Sequence, residues 1–185
     1  MKRKISSLVC LVAVLLLAGS CRSRTDRSAG TVVLTFGTIT GIPTIASVTN
    51  TLTTGGGAVT IGTFVLQSVS KDPTGTTGPL QDIEVTSYQV TYRRRDTGTR
   101  LPPALVANLT VEVPVNGTGD ISNLPIVRLD QLESPPLSDL AKFGHDTETG
   151  TAVIVLDAQV QFFGRTISGD SIASGVAPFT LEFTP

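Results

Sequence analysis

Ala152-Val153-Ile154-Val155-Leu156-Asp157-Ala158-Gln159-Val160-Gln161-Phe162-Phe163 is the stretch whose reading decides the fold class. Successive side chains of a strand point to opposite faces, so residues two apart share a face. Ala152, Ile154, Leu156, Ala158, Val160 and Phe162 then line one apolar face, while Asp157, Gln159 and Gln161 take the other. Val153, Val155 and Phe163 interrupt the polar side.

The flanking sequence repeats this alternation. Thr31 to Phe36 places Val32, Leu34 and Phe36 on one face, and Gly41-Ile42-Pro43 ends that strand. Thr44 to Thr53 reads as a second strand and Ala58 to Ser70 as a third. Gly55-Gly56-Gly57 between them lacks the following helix and the lysine of a phosphate-binding loop, so it reads as a hairpin turn. Lys71 to Pro79 is turn chemistry throughout. In the strand Asp82 to Arg94, Ile83 and Val85 share one parity and Tyr88, Val90 and Tyr92 the other. One inserted residue near Thr86-Ser87, a β-bulge, returns all five to the core.

Asp96-Thr97-Gly98-Thr99 turns the chain, and Leu109, Val111, Val113 and Val115 alternate through the next strand. Pro114 lacks a ladder donor, which puts that strand at an edge or at its end. Asn116 to Asp120 reads as a turn and Leu124 to Leu132 as a strand. Ser134 as cap, Pro135 and Pro136 in the first turn, Leu137, Leu140 and Ala141 on one face and Gly144 at the end predict a short helix. Gly164 to Gly175 reads as a turn region, before a closing strand with Val176, Phe179, Leu181 and Phe183. The expected fold is all-β: an immunoglobulin-like β-sandwich of seven to nine strands over residues 31–185, with one short crossover helix. There is no Cys–Trp–Cys pattern, so the immunoglobulin likeness is one of architecture.

The first 30 residues have a different character. Met1-Lys2-Arg3-Lys4 is followed by an apolar stretch from Ile5 to Leu17 and then Ala18-Gly19-Ser20-Cys21. A basic start, an apolar run and small residues make a secretory signal. The run is shorter than the roughly 20 residues that a spanning helix needs. Leu17-Ala18-Gly19-Ser20-Cys21 resembles the lipobox of bacterial lipoproteins, with Ala18 and Ser20 as variants of its commonest pattern. The resemblance covers residues 1–21 only. It implies cleavage before Cys21 and acylation of its thiol and new amine, hence partnership with a membrane. It also implies a place in the cell envelope, at the outer membrane, because Arg22 stands where an Asp retains some lipoproteins at the inner membrane. Residues 21–30, with Arg22, Arg24 and Arg27, read as a lipidated cysteine and tether. Nine residues from Arg22 to Gly30 reach about 30 Å at most.

Without residues 1–20 the chain keeps 11 Lys and Arg against 15 Asp and Glu, a charge of −4. That argues against nucleic acid, which needs a basic face. Cys10 leaves with the leader and Cys21 is the lipid site, so no disulfide is expected. His145 is the only histidine, and no serine lies in a Gly-x-Ser-x-Gly elbow. No cofactor motif is found. Asp146 and Glu148, in Asp146-Thr147-Glu148-Thr149-Gly150, are the best local candidates for a calcium ion, without the twelve-residue loop that would make them specific. Asp146/Glu148 and Asp82/Glu84 are also the carboxylate pairs that a small hydrolase acting on glycans would use. Arg93 and Arg95 point one way along their strand and Arg94 the other. They read as a charged hairpin end that discourages edge pairing, or as a carboxylate-binding spot. The expected function is a lipid-anchored, non-catalytic domain that binds an envelope protein or glycan or has a structural role. The alternatives are an envelope hydrolase and an ion- or ligand-binding lipoprotein.

Overall fold

The computed structural model describes residues 30–54 and 56–185; Cys21, the expected leader and most of the expected tether lie outside the described residues. The described chain is all-β and sandwich-like, with nine strands. One sheet has the order β1 (Val32–Thr40), β3 (Val59–Ser70), β6 (Thr118–Val127). The other runs β2 (Ile45–Ser47), β9 (Ala177–Thr184), β7 (Ile154–Thr166), β4 (Ile83–Arg94), β5 (Leu105–Val113), and β8 (Ser171–Ala173) pairs with β7. All pairings are antiparallel except the parallel contact of β2 with β9.

Strand β7 is central, between β9 and β4, and its alternation explains why. Ile154, Leu156, Ala158, Val160 and Phe162 are all fully buried, whereas Gln159 is exposed. Across the sandwich, Phe64 of β3 sits 5.0 Å from Phe162 and 6.1 Å from Phe179, centroid to centroid, and Phe36 of β1 lies 6.3 Å from Phe162. Tilted and edge-on ring contacts of this kind favour the pair beyond the area they bury. The sheets are also joined by polar contacts: the Tyr88 hydroxyl donates to the Pro125 carbonyl at 2.8 Å and Tyr92 to Ile126 at 2.6 Å.

The expected bulge is present. The register of β4 shifts between Val85 and Ser87 against both neighbours, and Ile83, Val85, Tyr88, Val90 and Tyr92 are all buried. β5 is an edge strand that ends just before Pro114, as its sequence leads one to expect.

Four readings need correction. Residues 44–53 do not form one strand: β2 covers three residues, and Val48–Thr53 is a helix, α1. Ser47 caps it by accepting from the Asn50 amide, and the hydroxyls of Thr51 and Thr53 donate back to the carbonyls of Ser47 and Thr49. Local side-chain bonds and burial of Val48 override the β-branched preference of the run. The glycines at 56 and 57, both at φ near +70°, therefore join a helix to a strand rather than two strands. β6 begins at Thr118 and ends at Val127, so the expected turn is largely strand, and Leu129–Leu132 is a helical turn, α2. Gly119 misled that reading: it lies within the strand, where a Cβ would come within 2.8 Å of the Glu112 carbonyl. β7 runs on to Thr166 and β8 follows, where a turn region was expected. Finally, three short α-helices and a 3₁₀ turn at Pro79–Gln81 stand where one helix was expected. The expected helix is α3 (Leu137–Phe143), ended by Gly144 at φ 74°. It is not capped by Ser134, whose hydroxyl donates backward to the Asp130 carbonyl.

Leu156→Ala is expected to cost about 2–5 kcal/mol, because the pocket of a fully enclosed leucine collapses only in part. Gln159→Ala, three residues away on the outer face, should stay within about 0.5 kcal/mol of the parent. Urea unfolding of the two variants measures the contrast directly.

Candidate functional site

The densest polar constellation sits where the β4–β5 loop meets the loop between α3 and β7. Arg94, the last residue of β4, has the parity of Val90 and Tyr92, and its side chain is only 3% exposed. Its Nε donates to Asp96 Oδ1 at 2.5 Å and its Nη2 to Asp146 Oδ2 at 2.9 Å. Arg100 reaches the same centre from the far end of its loop. Its Nη2 lies 2.8 Å from Asp139 Oδ2 and 3.0 Å from Asp146 Oδ1. Asp146, fully buried, is thus shared by two guanidiniums, and it also accepts from the Glu148 amide and the Thr149 hydroxyl. Glu148 accepts from both the amide and the hydroxyl of Thr99 and from the Arg100 amide. Asp96 closes the set by accepting from the amides of Gly98 and Val155.

These contacts decide the protonation states. Burial pushes Asp146 toward the neutral acid, but the bonds from Arg94, Thr149 and the Glu148 amide outweigh it and hold the carboxyl well below its ordinary range. Asp139 is held down chiefly by the Thr147 hydroxyl and by Arg100, and Glu148 by Thr99 and the Arg100 amide. Burial opposes the charge of Arg94, yet its bonds to Asp96 and Asp146 raise its pKa further. All of these groups remain ionised at neutral pH.

The candidate residues therefore fall out as follows. Asp146 and Glu148 come together, but their oxygens face guanidinium and amide hydrogens. Among the described residues, no group of three or more His, Cys, Asp or Glu side chains is placed to hold a metal ion. Asp82 accepts from the Val115 amide at 2.8 Å, and Glu84 pairs with Arg165 at 3.2 Å. His145 is exposed, and its Nδ1 contacts the Phe143 carbonyl at 3.0 Å. The arginine run splits as parity requires. Arg94 turns inward, while Arg95 faces out with Asp157 at 3.4 Å and Thr180 at 3.3 Å. Asp139 and Arg100 were not singled out in the sequence. The inward course of Arg94 was legible, since the parity that buries Tyr92 also buries Arg94.

A second polar tie reinforces the crossover. The Gln131 amide of α2 donates to the Tyr92 hydroxyl at 2.9 Å and to the Pro103 carbonyl at 2.6 Å. Burial raises the pKa of Tyr92, so its phenol stays protonated and available as a donor.

No protein-family model and no curated protein sequence matches the chain. Among solved structures, that of a late embryogenesis abundant (LEA) protein is similar, at 12% identity and a TM-score of 0.37, over 98% of this chain and 84% of that one. At that identity and score the likeness carries no functional argument.

The cluster makes stability acid-sensitive. Its carboxylates are held below the unfolded value of about 4. Their contribution is present above that pH and is lost as pH falls through the lower values of the folded state. Urea midpoints should therefore decline below about pH 4, and Asp146→Asn should flatten that slope while lowering stability at pH 7. Arg94→Ala should cost about 3–5 kcal/mol at pH 7, because it takes one of two guanidiniums from the buried Asp146 carboxylate and the charged partner from Asp96.

Proposed function

We propose that the protein is a lipid-anchored envelope lipoprotein whose β-sandwich domain binds another envelope macromolecule or serves a structural role, without catalysis. The observation that carries the anchoring is Leu17-Ala18-Gly19-Ser20-Cys21 behind a basic and apolar leader. Among the described residues no helix is long and apolar enough to cross a membrane. On this reading the attachment is made by the acyl chains of Cys21. Two or more chains are needed for lasting attachment, since each buried CH₂ adds only about 0.8 kcal/mol. Arg22 in place of an aspartate favours the outer membrane, and the tether holds the domain within about 30 Å of the bilayer. The partner is accordingly an envelope protein or glycan.

The non-catalytic reading is supported by the use made of the acids. A glycan hydrolase needs two carboxyl groups flanking an open bond-sized gap. Asp146 and Glu148 instead hold Arg94, Thr99 and Arg100 in place, while Asp82 and Glu84 are engaged by Val115 and Arg165. The chain enters the domain at Gly30, which packs against Asp170 and Ile172. The exposed Leu80 and Ile167 belong to neighbouring segments, since the Ser168 amide donates to the Leu80 carbonyl at 2.9 Å. On the lipoprotein reading, this end of the sandwich faces the lipid.

Mass spectrometry of protein extracted from membranes is expected to show an acylated Cys21 as the first residue. Cys21→Ser should release the protein or stall it with its leader attached. An unmodified Cys21, or a mature chain that begins elsewhere, would overturn the anchoring.

A further inference from the structure

The three short helices border a half-open cleft of about 390 Å³ that the ion cluster does not use. Leu52 of α1, Leu132 of α2 and Ala141 of α3 supply its apolar walls. Ser138 of α3 also lines it. That residue is 2% exposed, and its hydroxyl is buried without a hydrogen-bond partner among the described residues. A buried hydroxyl left unpaired is destabilising, and a turn of the Ser138 side chain toward the cleft would let a ligand atom satisfy it. Glu133 and Lys142 complete the lining. Both are exposed, and among the described residues neither makes a side-chain hydrogen bond or an ion pair with a protein group. The cleft thus combines apolar walls, one buried hydrogen-bonding group and two unpaired charges of opposite sign.

We propose that this cleft binds a small zwitterion with an apolar body, namely a free aliphatic α-amino acid of the leucine type. The volume lies in the range of about 300–1,000 Å³ of small-molecule sites, whose walls are mostly apolar with a few placed polar groups. The aliphatic side chain lies against Leu52, Leu132 and Ala141. The carboxylate meets Lys142 and accepts from the Ser138 hydroxyl once that side chain turns toward the cleft, and the ammonium meets Glu133. Opposite charges on the rim are what separate this ligand from a fatty acid, whose lone carboxylate would be drawn to Lys142 and repelled by Glu133. The inference is independent of the lipid on Cys21, because it rests on residues of the folded domain alone.

The test uses the full chain, in lipid nanodiscs where it is extracted from membranes and in plain buffer where it is released, with the matching protein-free sample as reference, and reads saturation-transfer NMR and titration calorimetry. L-leucine is the probe; 4-methylpentanoate and 3-methylbutylamine each keep its body and one of its charges. Saturable leucine binding is expected, with each one-charge analogue weaker by about tenfold or more, the loss of roughly one charge-assisted contact. Lys142→Gln and Glu133→Gln should each weaken leucine binding by a similar factor. Ser138→Ala should weaken it too, while leaving the melting temperature unchanged or higher, because it removes an unpaired buried hydroxyl. The two rim variants alter exposed side chains, so they keep the test decisive even if Ser138→Ala disturbs packing. No saturable leucine signal, equal binding of a one-charge analogue, or parent-like binding by both rim variants would overturn the proposal.

Discussion

The extra residue in β4 sets the geometry on which the other features depend. A strand has a period of two, so a single insertion exchanges the faces of everything beyond it. With the register shifted between Val85 and Ser87, both Val85 and Tyr88 point inward. Tyr88, Val90 and Tyr92 then oppose Phe162, Val160 and Ala158 across the ladder with β7, and the two inner faces become one. The same parity carries Arg94 inward at the end of the strand, opposite Leu156. Core and ion cluster are thus consequences of one register. Its partner strand bears the mark of it: Gly164 lies beside the bulge, and a Cβ there would collide with the Glu84 carbonyl.

An arginine delivered to a nearly dry position must be matched, because an unpaired buried charge costs more than almost any packing error. Apart from Asp96, the match comes from α3 and the loop after it, distant in sequence. Asp146 is 52 positions from Arg94, and Asp139 is 39 from Arg100. Two guanidiniums and four carboxylates, with the Thr99, Thr147 and Thr149 hydroxyls filling in, fasten the β4–β5 loop to the α3–β7 loop. Such a cluster adds little net stability over an apolar replacement of the same shape. What it does is choose one arrangement of two loops that would otherwise be free to move over the surface.

The crossover from β6 to β7 follows the same logic with weaker forces. Leu132, Leu137 and Leu140 are fully buried, which draws α2 and α3 onto the end of the sandwich, and Val48 draws α1 there as well. Gln131 ties this layer to Tyr92 and Pro103. Helices of four to seven residues are too short to be stable alone, so their existence depends on that docking. Short helices packed at angles leave gaps between them, and the cleft around Ser138 is such a gap.

How much of this was legible in the sequence follows from the range of the forces involved. Period-two alternation is local, so β7, β9, the bulge in β4 and the edge position of β5 could all be read from neighbouring residues. The lipobox-like pattern that ends at Cys21 is likewise local, and it lies outside the described residues. Residues 48–53 and 129–132 could not be assigned correctly, because β-branched or apolar runs suit a strand or a short helix alike until a tertiary surface selects one. Gly119 looked like a turn residue, since only the close passage of β5 reveals why a side chain is excluded there. For the acids the sequence by itself determined which residues were available, and Asp146 and Glu148 were conspicuous as a pair. Only the tertiary structure decided what they do, because an ionic contact depends on distance in space, and the arginines that engage Asp146 and Glu148 arrive from another hairpin altogether.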